Sequence, residues 1–373
     1  MNISDRRLRR AFPAAASALV LLLLLAPSVS ACSIFSFTRS GHTVYGRNLD
    51  WPNPFPGAVI VNPRGLVKSI LPWSGSWPAP YDGQPVKWVS RYGSIAFTCY
   101  GRDFIEGGMN EAGLVVDEAS LTAGYPPVDG RPGVSCAQWI QYQLDSYGTV
   151  EEVLEHLDDL RPDGEGWHYL IADAGGECAV IEYEKGNPLV YRGDEVECCA
   201  LTNTRYRRAL NQLPLDAAFG GDIDMGAGTD SYGRFVRVAA LMRDYDADSD
   251  GAPPEYAFRI LDEVSCYDTI RSVVYDVGGM RVWWRTPGNQ AVRWLDFSDL
   301  DPGYPVMMLD VEEGGPGDVS GMLVDYSVDA NRAIVSGVKD GEGRSPETDA
   351  MLRARGLTFD AAVEVIAAHP TTH

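Results

Sequence analysis

The chain has 373 residues, 45% of them hydrophobic and 22% charged, with 31 Lys and Arg against 52 Asp and Glu. A net charge of −21 argues against an electrostatic grip on nucleic acid or on anionic membrane surfaces. The length suffices for one large domain or two modest ones, and the composition is that of a chain able to bury a core.

The first thirty-one residues read as an export leader. Residues 6–10 (RRLRR) are basic, Ala14 to Ala26 is an apolar run with five consecutive leucines, and Val29-Ser30-Ala31 is a small-residue cleavage site that would leave Cys32 first. The pair Arg9-Arg10 before Phe12 also fits the twin-arginine route, although the leucine core fits ordinary secretion better. A membrane span needs ~20 apolar residues, and no later stretch supplies them. The expectation is a soluble mature protein, periplasmic or secreted. Loss of Arg6, Arg7, Arg9, Arg10 and Asp5 with the leader moves the net charge from −21 to −24. Val29 to Cys32 also spells a lipoprotein box, in which the sulfur would carry lipid and have no thiolate to offer.

In chain order, "CSIFSFT" and "HTVYGRN" alternate or are β-branched and are joined by Arg39-Ser40-Gly41, which predicts a hairpin beginning at Cys32. Residues 52–92 are rich in Pro, Gly and Trp (Trp73, Trp77, Trp88) and read as long loops with aromatic walls. "GMNEAG" is a turn before the strand "LVVDEASL". Ser135 to Leu160 has helical period, with Thr149 and Glu152 as a capping box for a second helix. A hairpin follows around Gly175-Gly176, then the strand end "CCALTNTRY", helices in "RFVRVAALMRDY" and "PPEYAFRILDEV", and a hairpin around Gly278-Gly279. Hairpins alternating with helix pairs predict antiparallel sheets covered by helices, not βαβ crossovers. From residue 302 onward the chain is polar and glycine-rich, with a helix in "TFDAAVEVIAAH", and reads as a C-terminal extension (302–373) of a domain spanning 32–301.

A cysteine at the mature terminus carries its own general base, because an α-amine titrates near ~8, close to working pH. The seven cysteines (32, 99, 136, 178, 198, 199 and 266) otherwise leave disulfide pairing open. Of the five histidines, His42 at the hairpin turn and His168 at a strand start are the alternative bases, with a structural role favoured for each. "DADSDG" at 246–251 opens like a calcium loop, but Ala257 stands at the twelfth position and Pro253-Pro254 interrupt the backbone, so it reads as an acidic loop. No metal or cofactor is expected, and self-association is left open.

Cys32, "GRNLDW" with Arg47 and Asp50, "NEAGL" at 110–114, "YLIADAGGECAVIEYEKG", "LTN" ending at Asn203, "GRFVRVAAL" with Arg234, and "VYDVGGMRVWWRT" stand in one order. In this order, over residues 32 to about 300, the chain resembles the choloylglycine hydrolases, the N-terminal nucleophile hydrolases that include bile salt hydrolases and penicillin V acylases. The resemblance implies an α+β fold, a four-layer αββα sandwich of N-terminal nucleophile hydrolase type. It also implies hydrolysis of a linear, non-peptide amide of a small N-acyl amine by an exposed Cys32. On the same resemblance, Arg47 favours the thiolate and Asp50 holds the α-amine. Asn203 donates to the oxyanion, and Arg234 completes the charge cluster around the sulfur. Where bile salt hydrolases carry an asparagine near the oxyanion, this chain has Ser120 at or beside the position, which makes it the substrate-binding residue, its hydroxyl or a neighbour's backbone N–H donating the hydrogen bond. Bile salts, penicillin V and acyl homoserine lactones all satisfy such a core.

Overall fold

The computed structural model describes residues 32–369 apart from 40, 52–56, 72, 75–76, 79–85, 123, 165, 227, 300–304, 341–352 and 354–357. The leader reading therefore lies outside the described residues, as does Ser40 of the first hairpin.

Apolar alternation along the strands produces two large sheets. The first has seven strands in the order Ala200–Thr202, Ser33–Arg39, His42–Asp50, Thr269–Asp276, Arg281–Arg285, Arg293–Asp296 and Gly317–Asp318. The second has nine, in the order Asn187–Arg192, Cys178–Glu184, Trp167–Ala172, Val115–Ser120, Gly107–Asn110, Ser94–Thr98, Ala58–Asn62, Met307–Asp310 and Val324–Asp325. Pairing is antiparallel throughout except where Gly317–Asp318 joins Arg293–Asp296. The sheets pack face to face. Tyr45 of the first sheet reaches across to donate to the Leu170 carbonyl of the second at 2.9 Å, and Phe35, Tyr45, Val115, Leu170 and Val180 share one buried core.

Helices cover both outer faces. On the first sheet lies Ser231–Asp244, started by Asp230, whose side chain accepts from the Tyr232 and Gly233 N–H groups. It buries Arg234, Phe235, Val238, Ala239 and Met242, a stripe at helical spacing in which the one cation faces inward. Beside it, Pro253–Glu263 begins with prolines, which need no N–H partner there, and buries Tyr256, Ala257, Ile260 and Leu261. On the second sheet, Ser135 caps Cys136–Ser146, which seats Trp139, Ile140 and Leu144 in the core. Thr149 caps Val150–Glu155, and the Glu152 carboxylate reaches back to the Gly148 N–H instead of the cap's own. The result is the four-layer αββα sandwich of α+β class.

Two readings change. Residues 52–92 are not all loop: Ala58–Asn62 is an interior strand of the second sheet, buried along its whole length. "GMNEAG" is a strand end, Gly107–Asn110, as well as a turn. The segment after residue 302 supplies Met307–Asp310 and Val324–Asp325 to one sheet and Gly317–Asp318 to the other. Its helix Phe359–Ala368 buries Ala362, Val363, Ile366 and Ala367 against the helix-covered face of the second sheet.

Among the described residues no helix is long and apolar enough to cross a membrane. One disulfide, Cys178–Cys199, ties the start of a strand in the second sheet to the residue before Ala200–Thr202 in the first.

Candidate active site

Cys32 sits immediately before the strand Ser33–Arg39, which is flanked by His42–Asp50 on one side and Ala200–Thr202 on the other. Ser33 pairs with Asn48 and with Thr202, so one step back along both registers brings Leu49 and Asn203 beside Cys32. Antiparallel pairing thus gathers residues 32, 50 and 203, far apart in sequence, at one end of one sheet.

Arg234 fastens this end from the helix layer. Its Nη1 donates to the Cys32 carbonyl and to Ser33 Oγ, both at 2.6 Å, and lies 3.8 Å from Asp50 Oδ2. Its Nη2 donates to Asn203 Oδ1 at 3.2 Å, while Asn203 Nδ2 donates to the Ser120 carbonyl at 3.1 Å. Arg234 therefore grips the backbone and the asparagine, where a charge cluster around the sulfur was expected. Ser120 meets Asn203 through its carbonyl, and both residues are half-buried. An amide nitrogen carries two hydrogens, so Asn203 keeps one N–H besides the one given to Ser120.

Cys32 itself is 1% exposed, not the exposed thiol expected. Burial first, and then the negative charge of Glu118, push the thiol up to about 12; Arg47 acts in the opposite direction. The backbone N–H of Asp50 also favours the thiolate, against the Asp50 carboxylate charge.

Arg47 explains part of this balance. It projects from the first sheet into the gap between the sheets, where Nη1 lies 2.8 Å from Asp117 Oδ1 and Nη2 donates to Glu118 Oε1 at 2.6 Å. Glu106 is 4.0 Å away and is itself paired with Arg271 at 3.1 Å. Two guanidinium groups thus face three carboxylates, all buried. Burial raises the Asp117 carboxyl to about 7 and the Glu118 carboxyl to about 8, against the pull of Arg47. Gly107, the cross-strand partner of Asp117, leaves room for that carboxylate: a Cβ there would come 2.0 Å from Oδ1. The sequence reading missed Asp117, Glu118, Glu106 and Arg271. The signal was two consecutive acids inside the apolar strand "LVVDEASL", since an unpaired buried charge is too costly to persist.

The histidines go elsewhere. His42 is at the opposite end of its strand from Asp50 and pairs with Asp276 at 2.5 Å. His168 is buried, its Nδ1 3.1 Å from Glu182 Oε1, and Glu182 also accepts from the Tyr206 N–H just beyond Asn203. Trp88 donates to Asp145 and packs on Tyr142, covering a helix. In the acidic loop, Asp246 caps the short helix Ala247–Asp250, and Asp250 pairs with Arg259.

Similarity to known proteins follows the same segment. Over 247 residues the chain is 26% identical to a penicillin V acylase of Pectobacterium atrosepticum, covering 59% of this chain and 62% of that one. It thus spans less than two thirds of that relative's length. It is 25% identical over 247 residues to a bile salt hydrolase/transferase of Bifidobacterium longum, covering 57% and 74%. The fold superposes on a penicillin V acylase of Agrobacterium tumefaciens with a TM-score of 0.68 at 25% identity, over 79% of this chain and 98% of that one. A mutant of the conjugated bile acid hydrolase of Clostridium perfringens, at 17% identity and TM-score 0.62 over 78% and 99%, shares the fold. Residues 32–266 match the model of the linear amide C–N hydrolases, choloylglycine hydrolase family. With that match covering more than half its length, and starting at the cysteine around which the buried site is assembled, the chain belongs to the choloylglycine hydrolase family of linear amide C–N hydrolases.

Proposed function

We propose that the mature protein is an exported amidohydrolase that cleaves the linear, non-peptide C–N bond of small N-acyl amines, with Cys32 as nucleophile and its own α-amine as base. The α-amine takes the thiol proton as Sγ adds to the acyl carbon, then gives it to the departing nitrogen as the C–N bond breaks. A thioester and a free amine result. Water, deprotonated by the same amine, adds to the thioester, and its collapse releases the carboxylic acid and restores the thiol.

In this reading Asp50 holds the α-amine, Arg47 offsets the negative field of Glu118 at the sulfur, and Arg234 fixes the Cys32 backbone and Asn203. The second N–H of Asn203 serves the oxyanion, and Ser120 holds Asn203 in place. The observation that carries the reading is the convergence of Asp50, Arg234 and Asn203 on Cys32 from three separate elements. Conjugated bile salts and penicillin V, named for the relatives, share the acyl amide with acyl homoserine lactones, and all belong in the substrate panel. The Cys178–Cys199 disulfide supports export, because such bonds persist in oxidising compartments.

The test is positional. Mature protein starting at Cys32 and a form with an uncleavable Gly-Ser ahead of it are compared on the panel, their termini verified by intact mass. Turnover by the first and not by the second is expected, because an amide nitrogen has no available lone pair. Equal turnover removes the α-amine mechanism, and a diacylglyceryl adduct on Cys32 replaces it with a lipoprotein.

A further inference from the structure

Asp50 is fully buried, and burial pushes its carboxyl up. A carboxylate that must stay charged and aimed there needs support from behind. Each packed element contributes a group. From the helix Ser231–Asp244, Arg234 lies 3.8 Å from Oδ2. From the chain between Pro253–Glu263 and the strand Thr269–Asp276, Cys266 favours the charged form of the carboxylate. From its own strand Arg47 adds positive charge, and Cys32 stands beside it. The shortest contact is from Thr269, whose hydroxyl donates to Asp50 Oδ1 at 2.6 Å.

The hydroxyl is polarised in one direction. The Cys266 backbone N–H donates to Thr269 Oγ1 at 2.9 Å, and of the two acceptors within reach of the single hydroxyl hydrogen, Asp50 Oδ1 at 2.6 Å is far nearer than Cys266 Sγ at 3.7 Å. An ionised Oδ1 can only accept; a protonated one would compete as a donor. The sheet register is broken to achieve this. Arg271 pairs with Leu49, so regular pairing would set Ile270 against Asp50, but a β-bulge sets Thr269 there instead. The same loop is pinned by the Trp51 N–H donating to the Asp268 carbonyl at 2.7 Å.

We propose that Thr269, backed by the Cys266 N–H, is a positioning residue that keeps Asp50 ionised and aimed at the mature amino terminus of Cys32. This rests on the reading of Cys32 and its α-amine given above. Thr269 is the leading influence that opposes burial at Asp50. Its removal raises the Asp50 carboxyl further, so the acid limb of the kcat/KM profile moves to higher pH.

The experiment compares mature wild type, Thr269→Val and Thr269→Ser. Thr269→Val keeps the β-branched shape and loses the donor, and its kcat/KM at acid pH is expected to fall ~10-fold or more while approaching wild type at alkaline pH. Thr269→Ser restores the wild-type profile. Thr269→Ala supplies the same comparison should the valine variant not fold. Independently of turnover, the carboxyl ¹³C resonance of Asp50, identified by its loss in Asp50→Asn, is titrated in each variant. An upward move of its midpoint in Thr269→Val and not in Thr269→Ser supports the assignment, and an unmoved midpoint overturns it. Because this titration needs no substrate, a mature protein that hydrolyses nothing in the panel defeats the proposed function and leaves the Thr269 result to be read by itself.

Discussion

Arg47 donates to Glu118 across the gap between the two sheets at 2.6 Å, with both residues out of contact with solvent. The pair lies behind Cys32, and its two members act on the thiol with opposite sign. Removing either charge separates catalytic from structural effects. Glu118→Gln keeps a hydrogen-bond acceptor for Arg47 and takes away a charge that raises the thiol, so alkylation of Cys32 by iodoacetamide should extend to lower pH than in wild type. Arg47→Met leaves Asp117 and Glu118 buried without their cation and should destabilise the fold by ~3–5 kcal/mol, read by urea unfolding. An unchanged alkylation profile in Glu118→Gln would remove Glu118 from control of the thiol.

The same carboxyls make stability depend on pH. Asp117 and Glu118 are raised from ordinary values to about 7 and about 8, so the folded state holds their protons where the unfolded chain has released them. Their contribution is complete below the unfolded carboxyl range and is lost as pH rises through about 7 to 8. Melting temperature should therefore decline between pH 5 and 9 more steeply in wild type than in Glu118→Gln. Equal slopes would show that Glu118 does not carry the linkage.

Asn203→Ala should lower kcat by ~10²–10³ with little change in KM, because the oxyanion exists only near the transition state. Loss of the contacts to Ser120 and Arg234 adds a cost in stability. Asn203→Asp retains an acceptor for Arg234 and loses the donor, so it should be as inactive as alanine while melting closer to wild type. Full activity in either variant excludes the oxyanion role.

The disulfide closes a separation of 21 residues and joins the two sheets, so Cys178→Ser with Cys199→Ser should cost ~3 kcal/mol of unfolding free energy. In denaturant, thiol titration of the oxidised mature protein should count the five free cysteines, 32, 99, 136, 198 and 266. A count one lower, with lipid mass on Cys32, would identify the lipoprotein.

Much of the architecture was legible in sequence because it depends on local rules. Gly175-Gly176 and Gly278-Gly279 mark hairpin turns, and Thr149 marks a helix start by its capping oxygen, whereas the cap at Asp230 and the first turn after it were not read. The stretch "RFVRVAAL" shows a buried stripe by its spacing. Ala58–Asn62 was not legible. A strand buried on both faces has no alternation to reveal it, and its neighbours Met307–Asp310 and Ser94–Thr98 are distant in sequence.

The sequence by itself singled out part of the site, a cysteine behind a leader-like segment with Arg47, Asp50, Asn203 and Arg234 in an order that resembles one family, and left out the buried Glu106, Asp117, Glu118 and Arg271. Their relations were decided by tertiary structure. Whether Arg47 faces Cys32 alone or shares its charge with Asp117 and Glu118 depends on which strand of the second sheet lies opposite, and no local pattern specifies that. Whether Asn203 is free to donate depends on the Ser120 carbonyl, 83 residues away in the chain. Whether Asp50 meets Thr269 or Ile270 depends on a single extra residue in a strand 219 positions further on. Side-chain chemistry is written residue by residue, whereas electrostatics and hydrogen bonding act through short distances that only the packing of two sheets creates.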